Sequence, residues 1–210
     1  GALSVMSQRT NVTVRVNKAI FYNNTSEQYG GALKTDSVNV VVIQECNFTR
    51  NQAKIGGTVN IGRTTEFLRY KNCLILNMAF EQGGAIYGEK IKFVFSKNEI
   101  FKENKVKKMG GAVYLSQVNF ITIYLVMFKQ NKAVSDGAAM LMSQNNHTLI
   151  IYCKILNNSE PTKGGALSIS KFETFICSGI FLSKNAAKLS GGAIYASDGI
   201  NLEIWDSILQ

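Results

Sequence analysis

Apolar and polar residues alternate in short runs along most of the chain. Four such runs are VNVVVIQ (38–44), KIKFVFSK (90–97), FITIYLVMF (120–128) and HTLIIYCKI (147–155). Alternation with a period of two places successive side chains on opposite faces of a strand, and β-branched and aromatic residues are typical of strands. The 18 glycines recur at fixed places and would each weaken a helix by about 1 kcal/mol. The pattern therefore predicts short strands of about three to six residues rather than helices.

Two landmarks recur at an interval of about 27 residues. The first is a glycine pair followed by Ala and an apolar residue, and we place its second glycine at Gly1, Gly31, Gly57, Gly84, Gly111, Gly137, Gly165 and Gly192. In this register Asp136 replaces the first glycine of the sixth copy. The second landmark is an apolar residue followed three positions later by asparagine, at Phe21/Asn24, Phe48/Asn51, Leu74/Asn77, Phe101/Asn104, Phe128/Asn131, Ile155/Asn158 and Leu182/Asn185. Such self-similarity predicts stacked copies of one unit.

A unit of this length could be a pair of helices, a leucine-rich repeat or one coil of a parallel β-helix. The strand-like composition disfavours helices, and the leucine lattice of a leucine-rich repeat is missing. In a parallel β-helix the strands of successive coils stack about 4.8 Å apart, so equivalent residues lie over one another. We therefore expect one all-β domain over residues 1–210, a solenoid of about eight coils that looks cut from a longer chain.

The glycine landmark also predicts which side chains face the core. Positions two and four after the second glycine are nearly all apolar and should point inward; in the sixth copy these are Ala139 and Leu141. The residue between them varies and should point outward, which gives the row Ser4, Lys34, Asn60, Tyr87, Tyr114, Met140, Ser168 and Tyr195. The asparagines should form a buried ladder at a turn, because Asn tolerates left-handed backbone and its amides can stack. Their apolar partners should form an inward column beside it.

The paired motifs GGA followed by Ile, Leu or Val, and FxxN, resemble the repeats of the polymorphic outer membrane proteins first described in chlamydiae. Residues 83–86 and 110–113, with Phe101/Asn104 and Phe128/Asn131, match both halves fully, whereas GGTV and DGAA depart from the motif. The resemblance covers the whole chain. It implies a right-handed parallel β-helix in a large surface-exposed or secreted protein, usually adhesive or structural, and it implies no catalytic residues. Similar repeats occur in large surface proteins of protists.

The outward row supplies the candidate binding residues. They are Tyr87, Tyr114, Tyr195, Asn60 and Lys34. Stacking one coil apart should make Tyr87 and Tyr114 a two-ring platform for a sugar face or a partner side chain. The expected partners are other proteins of a surface assembly, or glycans. The alternative is that the tyrosines only cover the corner and stabilise one another.

The net charge of +9 raises the question of an anionic partner. A predicted basic edge follows the repeating asparagines and consists of Lys102, Lys105, Lys107, Lys108, Lys129 and Lys132. This edge is either a solvated corner or a contact for an anionic glycan or an acidic protein. Nucleic acid is not an expected partner, because no aromatic and glycine motif of a nucleic-acid module is present.

A catalytic role is an alternative, because many parallel β-helices cleave acidic polysaccharides. Asp36 and Glu89 share one register position but are separated by Gly62, and a third acid is missing. The single histidine, His147, lies in the polar stretch QNNHT and is expected in a surface turn. We expect no catalytic residue, no cofactor and no metal site in this chain. The alternative is a polysaccharide-processing enzyme whose catalytic coils lie outside it.

Two weak signals bear on the compartment. Six sequons for N-glycosylation occur at Asn11, Asn23, Asn24, Asn47, Asn146 and Asn157, and they favour an extracellular or cell-surface location. The four cysteines have no zinc spacing and are expected as small core residues. No run of eighteen apolar residues is present, so a membrane would be reached only through other segments.

Overall fold

The computed structural model describes residues 1–7, 11–159 and 161–210, which form a solenoid of about eight coils built of parallel strands and turns. The predicted all-β parallel β-helix is confirmed. The coils are numbered here from the glycine pair that opens each one, at residues 30, 56, 83, 110, 137, 164 and 191 for the second to the eighth.

Within the described part of the chain, three parallel sheets run along the axis of the solenoid. The long sheet contains β1 Leu3–Met6, β2 Thr13–Asn17, β4 Leu33–Asp36, β5 Val40–Gln44, β8 Val59–Tyr70, β11 Ile86–Lys97, β14 Val113–Tyr124, β16 Met140–Ile151, β18 Leu167–Ser178 and β20 Ile194–Trp205. The short sheet contains β3 Ile20–Tyr22, β6 Asn47–Thr49, β9 Cys73–Ile75, β12 Ile100–Lys102, β15 Met127–Lys129, β17 Lys154–Leu156, β19 Phe181–Ser183 and β21 Ile208–Leu209. The edge sheet contains β7 Gln52–Ile55, β10 Met78–Gln82 and β13 Lys105–Val106.

The strands of the long sheet reach 12 residues from the third coil onward, longer than the sequence pattern indicates. Each contains one residue with positive φ at its fifth position, such as Arg63 (42°) and Lys90 (57°). In the second coil the same place is taken by Ser37, between β4 and β5. A left-handed residue turns the chain sharply, so each long strand is two short limbs joined by a bend. The predicted short strands correspond to these limbs.

The register predicted for the sixth coil is wrong by one residue. The first glycine of every pair has φ between 53° and 70°, and Gly137 belongs to this set with 59°. Asp136 precedes the pair, and Ala138 stands in the place of the second glycine. Val113 therefore pairs with Met140, which is buried, and Leu141 rather than Met140 occupies the outward row. The physical reason is that the corner needs positive φ at its first position, which glycine adopts without cost.

The inward column of apolar residues is confirmed. Phe48, Leu74, Phe101 and Phe128 lie in register from coil to coil and are at most 1% exposed. The rings of Phe101 and Phe128 stack with centroids 4.8 Å apart. Burying such rings is the main stabilising contribution of the core, at roughly 25 cal/mol per Å² of apolar area removed from water.

The asparagine ladder is also confirmed. From Asn51 to Asn185, the Oδ1 atom of each asparagine accepts two hydrogen bonds from the asparagine of the preceding coil, one from its backbone N–H and one from its Nδ2. The ladder runs from Asn24 to Asn185, and its central members are completely buried. Because each turn would otherwise bury an unpaired backbone N–H, the ladder satisfies the polar groups of this corner.

A buried ion pair interrupts the apolar interior between the third and fourth coils. Arg69 and Glu99 have side chains 2% and 0% exposed, with Nη1 and Oε2 3.4 Å apart. Asn72 Nδ2 donates to Glu99 Oε1 at 2.8 Å, and the Ser96 hydroxyl donates to Oε2. Burial lowers the pKa of Arg69, and the charge of Glu99 opposes this effect.

The four cysteines are unpaired, and the prediction that they are small core residues is confirmed for three of them and wrong for Cys73. Cys46, Cys153 and Cys177 are buried, whereas Cys73 is half-buried on the short sheet. Burial raises the pKa of the Cys153 thiol to about 11 and that of Cys177 to about 12. These thiols therefore stay protonated at neutral pH.

Candidate functional site

The outward row of the long sheet carries the predicted pair of stacked tyrosines. Tyr87 and Tyr114 are register partners on β11 and β14, with ring centroids 5.3 Å apart and ring planes 4° from parallel. Each ring therefore covers one face of the other. The predicted two-ring arrangement is confirmed, while its role in binding stays a prediction.

A cavity of about 340 Å³ opens beside Tyr87, on the side away from Tyr114. We call it the glycine notch, and it is lined by Tyr29, Lys34, Asp36, Ile55, Asn60, Gly62, Arg63, Tyr87, Glu89 and Lys90. It exists because the row continues from Tyr87 to the smaller Asn60, and because Gly62 has no side chain between Asp36 and Glu89. A Cβ on Gly62 would lie 2.8 Å from Asp36 Oδ1, so the backbone there is closely covered by the carboxylate.

Both carboxylates of the notch have cationic neighbours. Arg63 Nε donates to Asp36 Oδ1 at 3.0 Å, and Arg63 Nη2 donates to Asp36 Oδ2. This hydrogen-bonded guanidinium holds the pKa of Asp36 below its ordinary value. Lys90 Nζ lies 3.3 Å from Glu89 Oε1. The notch thus presents carboxylate oxygens whose charges are already compensated.

The hydroxyl of Tyr87 completes one wall of the notch. It donates to Glu89 Oε2 at 2.7 Å, which holds the ring in one orientation. Burial raises the pKa of Tyr87 well above its ordinary value, and the hydrogen bond to Glu89 adds to the effect. Burial likewise raises the pKa of Tyr114. Both phenols are therefore neutral donors at physiological pH.

Asn60 lines the same cavity and has an unpaired amide donor that lies beneath the cavity surface. Its side chain is nearly inaccessible, with the residue 6% exposed, yet no group of residues 1–7, 11–159 and 161–210 accepts a hydrogen bond from its Nδ2. A buried donor without a partner costs about 1–3 kcal/mol. Beside it, Lys34 Nζ lies 4.4 Å from the centroid of the Tyr29 ring. The predicted binding residues Asn60, Lys34 and Tyr87 are thus brought together.

Tyr195 does not join this site. It lies in the predicted row, but Leu141 and Ser168 separate it from Tyr114. Lys163 Nζ lies 3.2 Å from its hydroxyl oxygen and 4.7 Å from its ring centroid. Sequence reasoning missed Tyr29, Arg63 and Lys90 as members of the notch. Two signals were available in the sequence. Tyr29 directly precedes a glycine pair, and Arg63 and Lys90 each come one residue after the register position that Asp36, Gly62 and Glu89 share.

The predicted basic edge lies on the short and edge sheets. Lys102 is the register partner of Lys129, and Lys105 pairs with Lys132. Lys107 and Lys108 are exposed. Acidic neighbours compensate part of the charge: Glu81 Oε1 lies 3.0 Å from Lys108 Nζ, and Glu103 Oε1 lies 3.1 Å from Lys102 Nζ. The edge is therefore less basic than its lysine count indicates.

The expectation that His147 lies in a surface turn is wrong. His147 lies within β16, and its ring stacks on Phe120, with centroids 5.1 Å apart. Phe120 in turn stacks on Phe93 at 5.3 Å, so the three rings form a partly exposed column on the second limb of the long sheet. The reason is that the long sheet continues through QNNHT by means of the left-handed bend at Gln144. Local polarity alone indicates a turn there.

The sequons occupy different environments, and their glycosylation stays a prediction. Asn11, Asn23, Asn47 and Asn157 are exposed, and Asn146 is half-buried. Asn24 is the least suited acceptor, because its Nδ2 already donates to Asn51 Oδ1 at 2.9 Å in the ladder.

Over the described ranges 1–7, 11–159 and 161–210, no three His, Cys, Asp or Glu side chains gather into a group able to hold a metal ion. Within the same part of the chain, no helix has the length and apolarity needed to cross a membrane.

Comparison with protein families supports the resemblance noted from the motifs. Residues 179–197 match the family model of the Chlamydia polymorphic membrane protein repeat. The matched segment contains Leu182/Asn185 and the glycine corner of the eighth coil, and the same arrangement recurs in the other coils. A search of curated proteins and a search of solved structures found no match. The chain is thus a β-solenoid in which residues 179–197 are similar to this repeat.

Proposed function

We propose that the chain is a non-catalytic structural and adhesive module of a large surface or secreted protein. It would contact other proteins or glycans through the glycine notch. The observation that carries this proposal is the notch itself, where one face of Tyr87 is open and the buried Asn60 Nδ2 has no acceptor. Solvent-facing aromatic rings next to unpaired polar groups are features of binding sites.

The solenoid suits this role because it holds the site rigid. Parallel hydrogen bonds fix the backbone of the second, third and fourth coils on both sides of the notch. The ring of Tyr87 is held by Tyr114 and by Glu89. A side chain that is already ordered loses little entropy when a ligand binds. The extracellular or cell-surface location, with membrane attachment only through other segments, is part of the proposal and follows the repeat type.

The second candidate function is a polysaccharide-processing enzyme, favoured by the two carboxylates that line one notch. General acid catalysis needs a carboxylic acid that holds its proton near neutral pH. Asp36 has a lowered pKa because of Arg63, so it stays ionised. We therefore propose that the pair binds hydroxyl groups without catalysing cleavage. New reducing ends from a panel of acidic polysaccharides, lost in Glu89→Gln, would overturn this.

The adhesive proposal is tested with the double variant Tyr87→Ala, Tyr114→Ala on arrays of glycans and of purified extracellular proteins. We expect the wild-type chain to bind at least one array class and the double variant to lose that binding while it melts near the wild-type temperature. Tyr195→Ala, in the same row but outside the notch, should bind normally. Unchanged binding by the double variant, or binding that depends on Lys105, Lys107 and Lys108 instead, would reject the notch as the contact.

A further inference from the structure

We propose that the glycine notch binds one neutral sugar ring, an uncharged pyranose stacked on the open face of Tyr87. This inference rests on the proposed adhesive function and adds the chemical class of the ligand. It is carried by three observations: the space beside Tyr87, the unpaired amide of Asn60, and the ion pairing of both carboxylates of the cavity.

The space beside Tyr87 lies where the next ring of the row would stand. Tyr87 and Tyr114, one coil apart, stack at 5.3 Å, which is the separation that the solenoid imposes on rings in this row. At the next coil the row holds Asn60 in place of a third ring. A pyranose set against the open face of Tyr87 would take the place of that missing ring. Its C–H groups would contact the electron-rich ring face, as in other contacts of apolar groups with aromatic faces.

The size of the cavity agrees with a small ligand. Its volume of about 340 Å³ lies near the lower end of the range for small-molecule sites, roughly 300–1,000 Å³. The depth depends on Gly62, since any side chain at that position would fill the floor between Asp36 and Glu89.

The polar groups match alcohols. Asp36 and Glu89 offer acceptor oxygens, and Arg63 and Lys34 offer donors, whereas the unpaired Asn60 Nδ2 lies just beneath the cavity surface. A sugar hydroxyl donates one hydrogen bond and accepts others, so a ring with several hydroxyls can use both kinds of group. If the Asn60 amide rotates toward a bound hydroxyl, the new hydrogen bond would also relieve the cost of its unpaired donor. An apolar protein side chain would leave that donor and both carboxylates without new partners.

The charges favour a neutral ligand over a uronic acid. Arg63 is engaged by Asp36, and Lys90 by Glu89, so the cavity holds two compensated pairs. Lys34 leaves the lining with one positive charge in excess, but its ammonium lies over the Tyr29 ring, 4.4 Å from the centroid, and is engaged there. A carboxylate on the ligand would lie close to Asp36 and Glu89, where like charges repel.

The test measures binding of glucose, galactose, mannose and N-acetylglucosamine by saturation-transfer difference NMR and isothermal calorimetry. Glucuronate and galacturonate serve as charged counterparts. We expect at least one neutral sugar to bind more tightly than its uronate. Asn60→Ala should weaken that binding about fivefold or more, the effect of one lost hydrogen bond. Asn60→Tyr should abolish binding by filling the position of the missing ring. This variant should fold, because the fourth and fifth coils already have Tyr at this position of the row.

Three outcomes would overturn the inference. Tighter binding of uronates than of neutral sugars would contradict the charge argument, and binding that is unaffected by Asn60→Tyr would place the sugar elsewhere. If no sugar binds but a purified extracellular protein does, and Asn60→Tyr blocks it, the neutral-sugar inference fails while the proposed adhesive function stands. Tyr195→Ala serves as the matched control and should leave sugar binding unchanged.

Discussion

Replacing Asn104 with alanine removes one rung from the centre of the asparagine ladder. Asn104 Oδ1 accepts from the backbone N–H and from the Nδ2 of Asn77, each at 3.0 Å. Its Nδ2 donates to the Leu74 carbonyl at 2.8 Å and to Asn131 Oδ1 at 3.1 Å. Alanine cannot replace any of these four bonds. The buried N–H of Asn77 then loses its acceptor.

The magnitude follows from what each lost bond leaves behind. An orphaned buried N–H costs about 1–3 kcal/mol, and an ordinary hydrogen bond contributes about 0.5–1.5 kcal/mol net. The Asn77 N–H falls in the first class, whereas Asn77 Nδ2 keeps its bond to the Phe48 carbonyl and Asn131 Oδ1 keeps the backbone N–H of residue 104. We therefore expect a loss of about 2–4 kcal/mol of unfolding free energy. For a chain of 210 residues this corresponds to roughly 5–15 °C in melting temperature.

Urea unfolding followed by far-UV circular dichroism measures this loss. The matched control is Asn24→Ala at the first rung. Asn24 donates to Asn51 Oδ1, but among the described residues no backbone N–H depends on its Oδ1. We expect the control to lose less than about 1 kcal/mol. Equal losses in the two variants, or a loss below about 0.5 kcal/mol for Asn104→Ala, would refute the view that the ladder satisfies buried backbone groups.

Three further outcomes are expected. Phe101→Ala should cost about 3–5 kcal/mol by leaving a cavity, whereas Phe93→Ala should cost far less because residue Phe93 is 38% exposed. Similar melting temperatures of the two variants would contradict the inward column. The free energy of unfolding should fall as pH rises from about 9 toward 12, because the unfolded chain loses the thiol proton of Cys177 near its ordinary pKa of 9.0 while the folded chain keeps it up to about 12. Urea titrations at pH 8 and 10.5 check this, and Cys177→Ala should reduce the dependence of the unfolding free energy on pH. Glu99→Ala should cost about 3–5 kcal/mol because it leaves Arg69 buried without its partner, and adding Arg69→Met should recover most of the loss. A double variant that melts no higher than the single variant would show that an unpaired buried charge is not the cause of the loss.

The sequence predicts the solenoid, the inward column and the asparagine ladder because the same chemical need recurs in every coil. Each turn buries an N–H at the asparagine, and each corner needs a left-handed residue, so the motif repeats wherever the backbone does. The sixth coil shows the limit of this reasoning. DGAAM can be aligned in two ways by letters, and only the positive φ of Gly137 decides between them.

The glycine notch and the interior ion pair were harder to foresee for a different reason. Neither repeats from coil to coil, so periodicity carries no information about them. The notch depends on Asn60 and Gly62, two small residues whose effect is to leave space beside Tyr87. Arg69 stands in a column that is otherwise mostly apolar, and only the coil stacking shows that Glu99 lies within reach. Sequence reasoning identified the tyrosine pair and the shared register of Asp36 and Glu89, but not the cavity that joins them.

The backbone follows the same path in successive coils, whereas the outward side chains differ from one coil to the next. The notch is formed mainly by side chains of three consecutive coils, at positions where the remaining coils carry other residues on the same scaffold. Exchanging a 27-residue block between coils would therefore change the surface of the notch while the backbone path stays the same, provided that the buried pair of Arg69 and Glu99 is moved as a unit. In a solenoid of this kind the outward side chains can vary independently of the three-dimensional framework that carries them.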